Sequence, residues 1–490
     1  MTEALAANEA ADEFCEDCGY EPELKRTLNG FQVFAISFAS LSVAVGIFAT
    51  YDDVLRDSGP VGIWLFPIVA IGQILVALVY AQFAARIPLS GSSYAWASLL
   101  ASPKIGWFFG WLAVLSAVAS PVTIDNALAS QCLMPLFNME PNETTARLIT
   151  VVVLVIQFVL AVAATRIVGW VNSLSVGVEL AILVVIGVAL TIAIFVTGHS
   201  SVENLFSRGI TEGDPNYFVI GGGLMAASIM GLSTLVGFET ASNMAEEAKN
   251  PTRTVPRAII GSVTAASVLG MLFVIILTVS ITDMGRVSNT ESPVAEIMNE
   301  RFGPGFERPL LAAIALAFFG AALVSMVSGA RYIYAMSRDG RFPFSNVMRR
   351  VNPRTRTPIP ATGVVLAVGV ILMAIMPGDA LLQLIMAGAI VTILPYLGTI
   401  ILYLVKRHKL DRTSGGFDLG RWEWPVAIGA LVWVVVSLFV VIASSPSMAP
   451  IVLAFGLSAA GVLYFGYMWK FKREVLEQEA GDPNKLDEVA

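Results

Sequence analysis

GFETASNMAEEAKNPTRTVPRA occupies residues 237–258 and, within the length of one membrane span, turns from an apolar approach into a charged loop. The run before it, residues 218–236, is apolar but carries Gly221, Gly222, Gly223 and Gly231, with Ser233 and Thr234 directly ahead of the break. This pattern reads as half a transmembrane helix running into an unwound point. Backbone N–H and C=O groups cannot stay unpaired in lipid, so a break at membrane depth must face protein or a polar cavity. The break at Leu235, Val236, Gly237 and Phe238 is therefore a candidate binding site.

The surrounding chain has 490 residues, 56% hydrophobic and 14% charged, against roughly 25% charged in a soluble protein. A span takes about 20 mostly apolar residues. Twelve segments qualify, beginning near Phe31, Val61, Lys104, Thr145, Val168, Tyr217, Val255, Pro309, Ala361, Ala380, Glu423 and Pro450. The ninth is the shortest. If both termini are cytoplasmic, 24 of the 30 Lys and Arg residues fall inside and only Arg56, Arg147, Arg208, Arg286, Arg301 and Arg308 outside. That asymmetry predicts this orientation and a plasma-membrane protein.

The net charge of -7 hides two acidic tails: residues 1–24 hold eight acids and no base, and residues 474–490 hold six acids and one lysine. The membrane body is left positive, suited to an anionic inner leaflet. No basic region followed by an apolar run stands at the start, so no cleaved signal peptide is expected. Cys15 and Cys18 supply two of the four ligands of a structural zinc site, Cys132 reads as packing, and His199 and His408 fall at segment ends. The expectation is no catalytic residue, no metal site, no enzyme activity, no nucleic-acid partner and no cofactor beyond a proton or sodium as coupling ion.

Segment 1 reads GFQVFAISFASLSVAVGIFATYDD over residues 30–53, with small and hydroxyl side chains from Ser37 to Gly46. Alone, this fits close helix packing as well as a break. Together with segment 6 it makes two interrupted segments in corresponding positions, each opening one half of a ten-helix array. That arrangement points to an inverted-repeat transporter with a midplane site. The expected domains are an acidic tail (1–28), a first repeat (29–198), a second repeat (199–410), two further helices (411–472) and a second acidic tail (473–490).

AQFAARIPLSGSSYAWASLL (81–100) and GWFFGW (106–111) resemble the second and third spans of the amino acid-polyamine-organocation permease superfamily. GFE with AEEAKNPTRTVPRA is similar to its sixth-span signature, and RYIYAMSRDGRFP (331–343) to its eighth-span exit. The resemblance covers about residues 28–410 and implies an all-α, twelve-helix membrane protein of LeuT-like fold, a five-plus-five inverted repeat with helices 1 and 6 broken. It also implies a substrate site at Ser42, Val43, Ala44, Val45 and Gly46 opposite Leu235 to Phe238. Departures from the family pattern are Ala44 where a glycine is common, Gln82 where a glutamate is common, and Glu179 where proton-coupled members carry a lysine. The wording is closest to the branch of amino acid, GABA, choline and polyamine permeases.

A charge near the bilayer centre costs about 2.5 to 3.5 kcal/mol on insertion scales, so Glu179, deep within segment 5, should face the bundle interior, be protonated, or both. It is a candidate proton carrier or cation ligand. Glu239 follows the segment 6 break, where an acid both caps a helix start and would feel a substrate ammonium. Ser325 and Ser328 of segment 8 are candidate oxygens for an ion. Asp125 of segment 3 is expected at an outer vestibule, and Glu246, Glu247 and Arg257 at a cytoplasmic gate. Residues 293–302 read as a short external helix.

No Lys or Arg falls near a predicted midplane, whereas Glu179 and Glu239 do. A cationic nitrogen thus finds side-chain partners, and a carboxylate would find only backbone N–H groups at the half-helix starts. The expected activity is secondary active import of an amino acid or related amine across the lipid bilayer, by alternating access and coupled to protons. An exchanger or sodium symporter, and a nutrient receptor that binds without transporting, are the alternatives.

Overall fold

The computed structural model describes residues 28–89, 91–163, 165–197, 201–290, 292–353, 355, 357–376, 380–410, 416–445 and 447–477, together with Asn8, Ala11, Asp12 and Arg26. Cys15, Cys18, His199 and most of both tails lie outside the described residues. Among the described residues the chain is helical, and ten helices are long and apolar enough to cross a membrane. Segments 6 and 9 form shorter apolar helices, Gly223–Thr234 and Ile359–Ile375.

The helices start where the sequence offers caps. The Asn29 side chain accepts from the Gln32 N–H and the Gln32 side chain accepts from the Asn29 N–H, and Ser102 with Pro103 opens segment 3. Both devices satisfy or remove N–H groups that a first helical turn leaves unpaired.

Segment 1 is broken. Gly30–Leu41 ends at Ser42, which takes φ 48° and ψ 61°, and a second helix runs over Val43–Asp57. A left-handed serine is uncommon and marks a constrained point. Segment 6 is more fragmented than its sequence suggests. Its helix begins at Gly223, not Tyr217, because Gly221 is left-handed at φ 78° and a Cβ on Gly223 would run into Asp57 O. After the break only Thr240–Asn243 is helical, with Glu239 as its N-cap.

Two hydrophobic bodies result. Segment 7, Pro251–Ser280, packs on segment 2 and on the first half of segment 1, and segment 6 packs on the second half of segment 1. Segment 8, within Pro304–Arg338, packs on segments 3, 5 and 9, and segment 9 on segment 4. Most of the buried side chains of segments 1, 2, 6 and 7 join one core, and those of segments 4, 8 and 9 largely another.

The sequence signatures meet at one corner. Arg341, 1% exposed, donates to Tyr94 OH at 2.7 Å, Tyr94 OH donates to Asp339 at 3.1 Å, and Trp107 Nε1 donates to Arg341 O at 2.8 Å. Ser242 donates to Ser92 at 2.8 Å and Asn243 to Tyr332 OH at 2.8 Å. The short helix expected over residues 293–302 forms as Pro293–Phe302.

Candidate functional site

The two breaks face each other. A Cβ on Gly46 would run into Thr234, and one on Gly237, at φ 101°, would lie 2.7 Å from Ser40 O. Glycine is required at both points, by close approach at the first and by backbone conformation at the second. Ser37 Oγ ties the breaks together, donating to Phe238 O at 3.0 Å and sharing a 2.8 Å hydrogen bond with Ser262.

Glu179 enters this crossing from segment 5. It is 5% exposed, its Oε1 accepts from the Ala44 N–H at 3.2 Å, and its Oε2 accepts from Ser42 Oγ at 3.3 Å. The carboxyl therefore sits at the start of the second half-helix, where unpaired N–H groups and the helix dipole favour negative charge. It faces the interior, and it does so at the segment 1 break.

Glu239 occupies the matching place on segment 6. Tyr396 OH of segment 10 donates to Glu239 Oε2 at 2.7 Å and accepts from the Gly237 N–H at 3.4 Å. Phe238 is fully buried, stacked on Tyr396 with ring centroids 5.3 Å apart and edge-on to Tyr80 at 5.8 Å. Of the expected contact residues, Ser42, Val43, Ala44, Val45 and Leu235 are buried, while Gly46, Val236 and Gly237 are half-buried, as is the coupling candidate Glu239. The half-buried set leaves one acid and a glycine-lined edge open beside an aromatic wall.

The other candidates lie elsewhere. Ser325 accepts from Ser120 of segment 3 at 3.3 Å, and Ser328 is half-buried on the same helix. Asp125, expected at an outer vestibule, is instead wholly buried, accepting from Gln157 of segment 4 at 2.8 Å. Pro121 and the wide π turn Leu128–Leu133 flank it within segment 3, whose C-terminal end packs against segments 4 and 8 and carries Asp125 with it. At the loop after the segment 6 break, expected as a cytoplasmic gate, Arg257 is exposed, and the hold runs through main chain. Leu28 N donates to Glu247 O at 3.0 Å, Lys249 N to Leu28 O at 2.9 Å, and Arg26 Nη1 to Ala245 O at 2.9 Å.

Three partners at the crossing escape a reading of the sequence. Tyr396 and Tyr80 look like any aromatics in apolar helices, and Ser37 like any small packing residue. Arg26 had a signal, being a lone arginine beside the first segment in an acidic tail.

The chain is similar to known permeases and transporters. The chain is 28% identical over 458 residues to the amino-acid permease BAT1 of Arabidopsis thaliana, covering 86% of each. It is 29% identical over 366 residues to the branched-chain amino acid permease BcaP of Lactococcus lactis, covering 72% of this chain and 76% of that one. Two solved structures of a manganese transporter from Eremococcus coleocola superpose with TM-scores of 0.53 and 0.51 at 15% and 13% identity, over 91% and 92% of this chain and 96% and 99% of theirs. At that identity the likeness concerns the fold alone. Relatives and fold mark a multi-pass membrane permease, not an enzyme. The amino acid permease family model matches residues 28–466, and the chain belongs to that family.

Proposed function

We propose that this permease imports an amino acid or related amine across the plasma membrane by proton-coupled alternating access, with both termini cytoplasmic. In this reading the twelve segments all span, ten of them as a five-plus-five inverted repeat. The observation that carries it is Glu179 on the Ala44 N–H and Ser42 hydroxyl at the segment 1 break.

A substrate carboxylate and the Glu179 carboxylate compete for the same half-helix start. Protonation makes Glu179 a weaker acceptor, which frees the Ala44 N–H for the substrate. Glu239, held by Tyr396, supplies a negative partner for the substrate ammonium. Proton and amino acid thereby favour each other's binding, which is what symport requires. Release on the far side reverses the exchange: the proton leaves, Glu179 takes back Ala44 N–H, and the substrate carboxylate loses its place.

The two hydrophobic bodies support the motion. Segments 1, 2, 6 and 7 carry both breaks and rock against segments 3, 4, 8 and 9, while the Leu28 to Lys249 pairing closes the cytoplasmic side. A sodium-coupled version is favoured by one feature, the three oxygens of Glu179 and Ser42 within one hydrogen-bonded group. The names of the relatives support an amino acid, branched-chain members included, as substrate.

Uptake of labelled neutral and cationic amino acids, GABA, choline and putrescine into proteoliposomes with imposed proton or sodium gradients tests the reading. Accumulation of an amino acid driven by a proton gradient is expected. Accumulation only under a sodium gradient moves the coupling to that ion. Binding without uptake under every gradient would make the chain a receptor.

A further inference from the structure

At the end of segment 1 far from the Leu28 to Lys249 pairing, a separate cavity of about 80 Å³ lies among segments 1, 3, 4 and 10. Asp52 and Arg56, one helical turn apart on segment 1, present opposite charges to it, with Arg56 Nη2 3.9 Å from Asp52 Oδ2. Gln131, on the π turn Leu128–Leu133, donates from Nε2 to the same Asp52 oxygen at 3.3 Å. Gln131 is 2% exposed, and its Oε1 has no hydrogen-bond partner. An acceptor left unpaired so deep in the protein is unfavourable, and Gln131 is one of the residues that line the cavity. Met134, Ala146 and Leu381 supply an apolar side to the same space. Glu143, the other acid, is committed to Arg147 at 2.8 Å and to the Ala380 N–H at 3.1 Å.

We propose that this cavity is a second binding site, separate from the two breaks, for a zwitterionic amino acid with an aliphatic side chain. Asp52 and the Gln131 carbonyl oxygen take the ammonium, the Arg56 guanidinium takes the carboxylate, and Met134, Ala146 and Leu381 receive the side chain. The two opposite charges favour a ligand that carries both head groups, because a ligand with one head group meets only one of the two charges. The cavity lies at the outer end of the half-helix that Glu179 caps, so it loads substrate toward the crossing. This rests on the amino acid transport reading above.

Equilibrium binding of radiolabelled L-leucine to the purified full-length permease tests it. Wild type is expected to bind one molecule at the crossing and another in the cavity. Gly237→Trp removes the first and keeps the second. Asp52→Asn removes the second and keeps the first, whose retention reports an intact fold. Ala146→Phe, which fills the cavity without touching its charges, does the same. 4-Methylpentanoate and 3-methylbutylamine displace the cavity molecule at least about tenfold less well than L-leucine. A single molecule on wild type, or a second one that survives both Asp52→Asn and Ala146→Phe, overturns the site. Wild type that accumulates L-leucine under a gradient yet binds one molecule sinks the cavity alone, whereas no uptake of any amino acid or amine under any gradient sinks the transport reading as well.

Discussion

The N–H of Ala44 opens a half-helix, and Glu179 reaches from segment 5 to accept it at 3.2 Å. Deleting that acceptor leaves a buried donor unpaired, at a cost of about 1–3 kcal/mol. Glu179→Ala should therefore lower the thermal midpoint of the detergent-purified protein, while Glu179→Gln, which keeps a side-chain oxygen, should hold it near wild type. Gly237 sits at φ 101° with Ser40 O where a Cβ would go. Gly237→Leu forces the break to move, and substrate affinity in equilibrium binding should fall by about tenfold or more. Glu179 was legible in the sequence because a charge at mid-membrane demands a reason. Tyr396 was not, since its role depends on a hydroxyl meeting Glu239 from another segment. Asp125 misled because position along a helix says how deep a residue lies but not which neighbour covers it.

At the scale of elements, glycine and hydroxyl patterns located both breaks, yet the second half of segment 6 is mostly turn. Two of its side chains donate to tertiary partners: Ser92 accepts from Ser242 and Tyr332 OH from Asn243. Such partners come from distant sequence, so local propensity could not announce them. The corner around Arg341 has the same origin. Its signature residues serve the join between segments 2, 3 and 8. Tyr94→Phe removes the hydroxyl that accepts from Arg341 and donates to Asp339. It should cost roughly 1–3 kcal/mol in thermal stability while leaving KM for uptake near wild type; a large rise in KM with unchanged stability would place Tyr94 in the binding machinery instead.

For the whole molecule, the twelve-segment reading with both termini inside puts 24 of the 30 basic residues on one face, and the helices pack around two cores, the one of segments 1, 2, 6 and 7 carrying both breaks. The orientation is testable by thiol labelling in a variant whose Cys15 and Cys18 are replaced by serine. A cysteine at Lys249 should react with an impermeant maleimide only in inside-out membranes, and one at Glu212 only in right-side-out membranes; the opposite pattern would invert the topology. The division into bodies was legible only as an expectation of repeats, because which helices pack together is set by side-chain fit across the bundle. The central claim is that Glu179 yields its hold on Ala44 when it takes a proton, and Glu179→Gln in proteoliposomes tests it most directly. The account predicts that proton-driven accumulation of substrate is lost while substrate exchange between the two sides persists; accumulation at the wild-type level would contradict it.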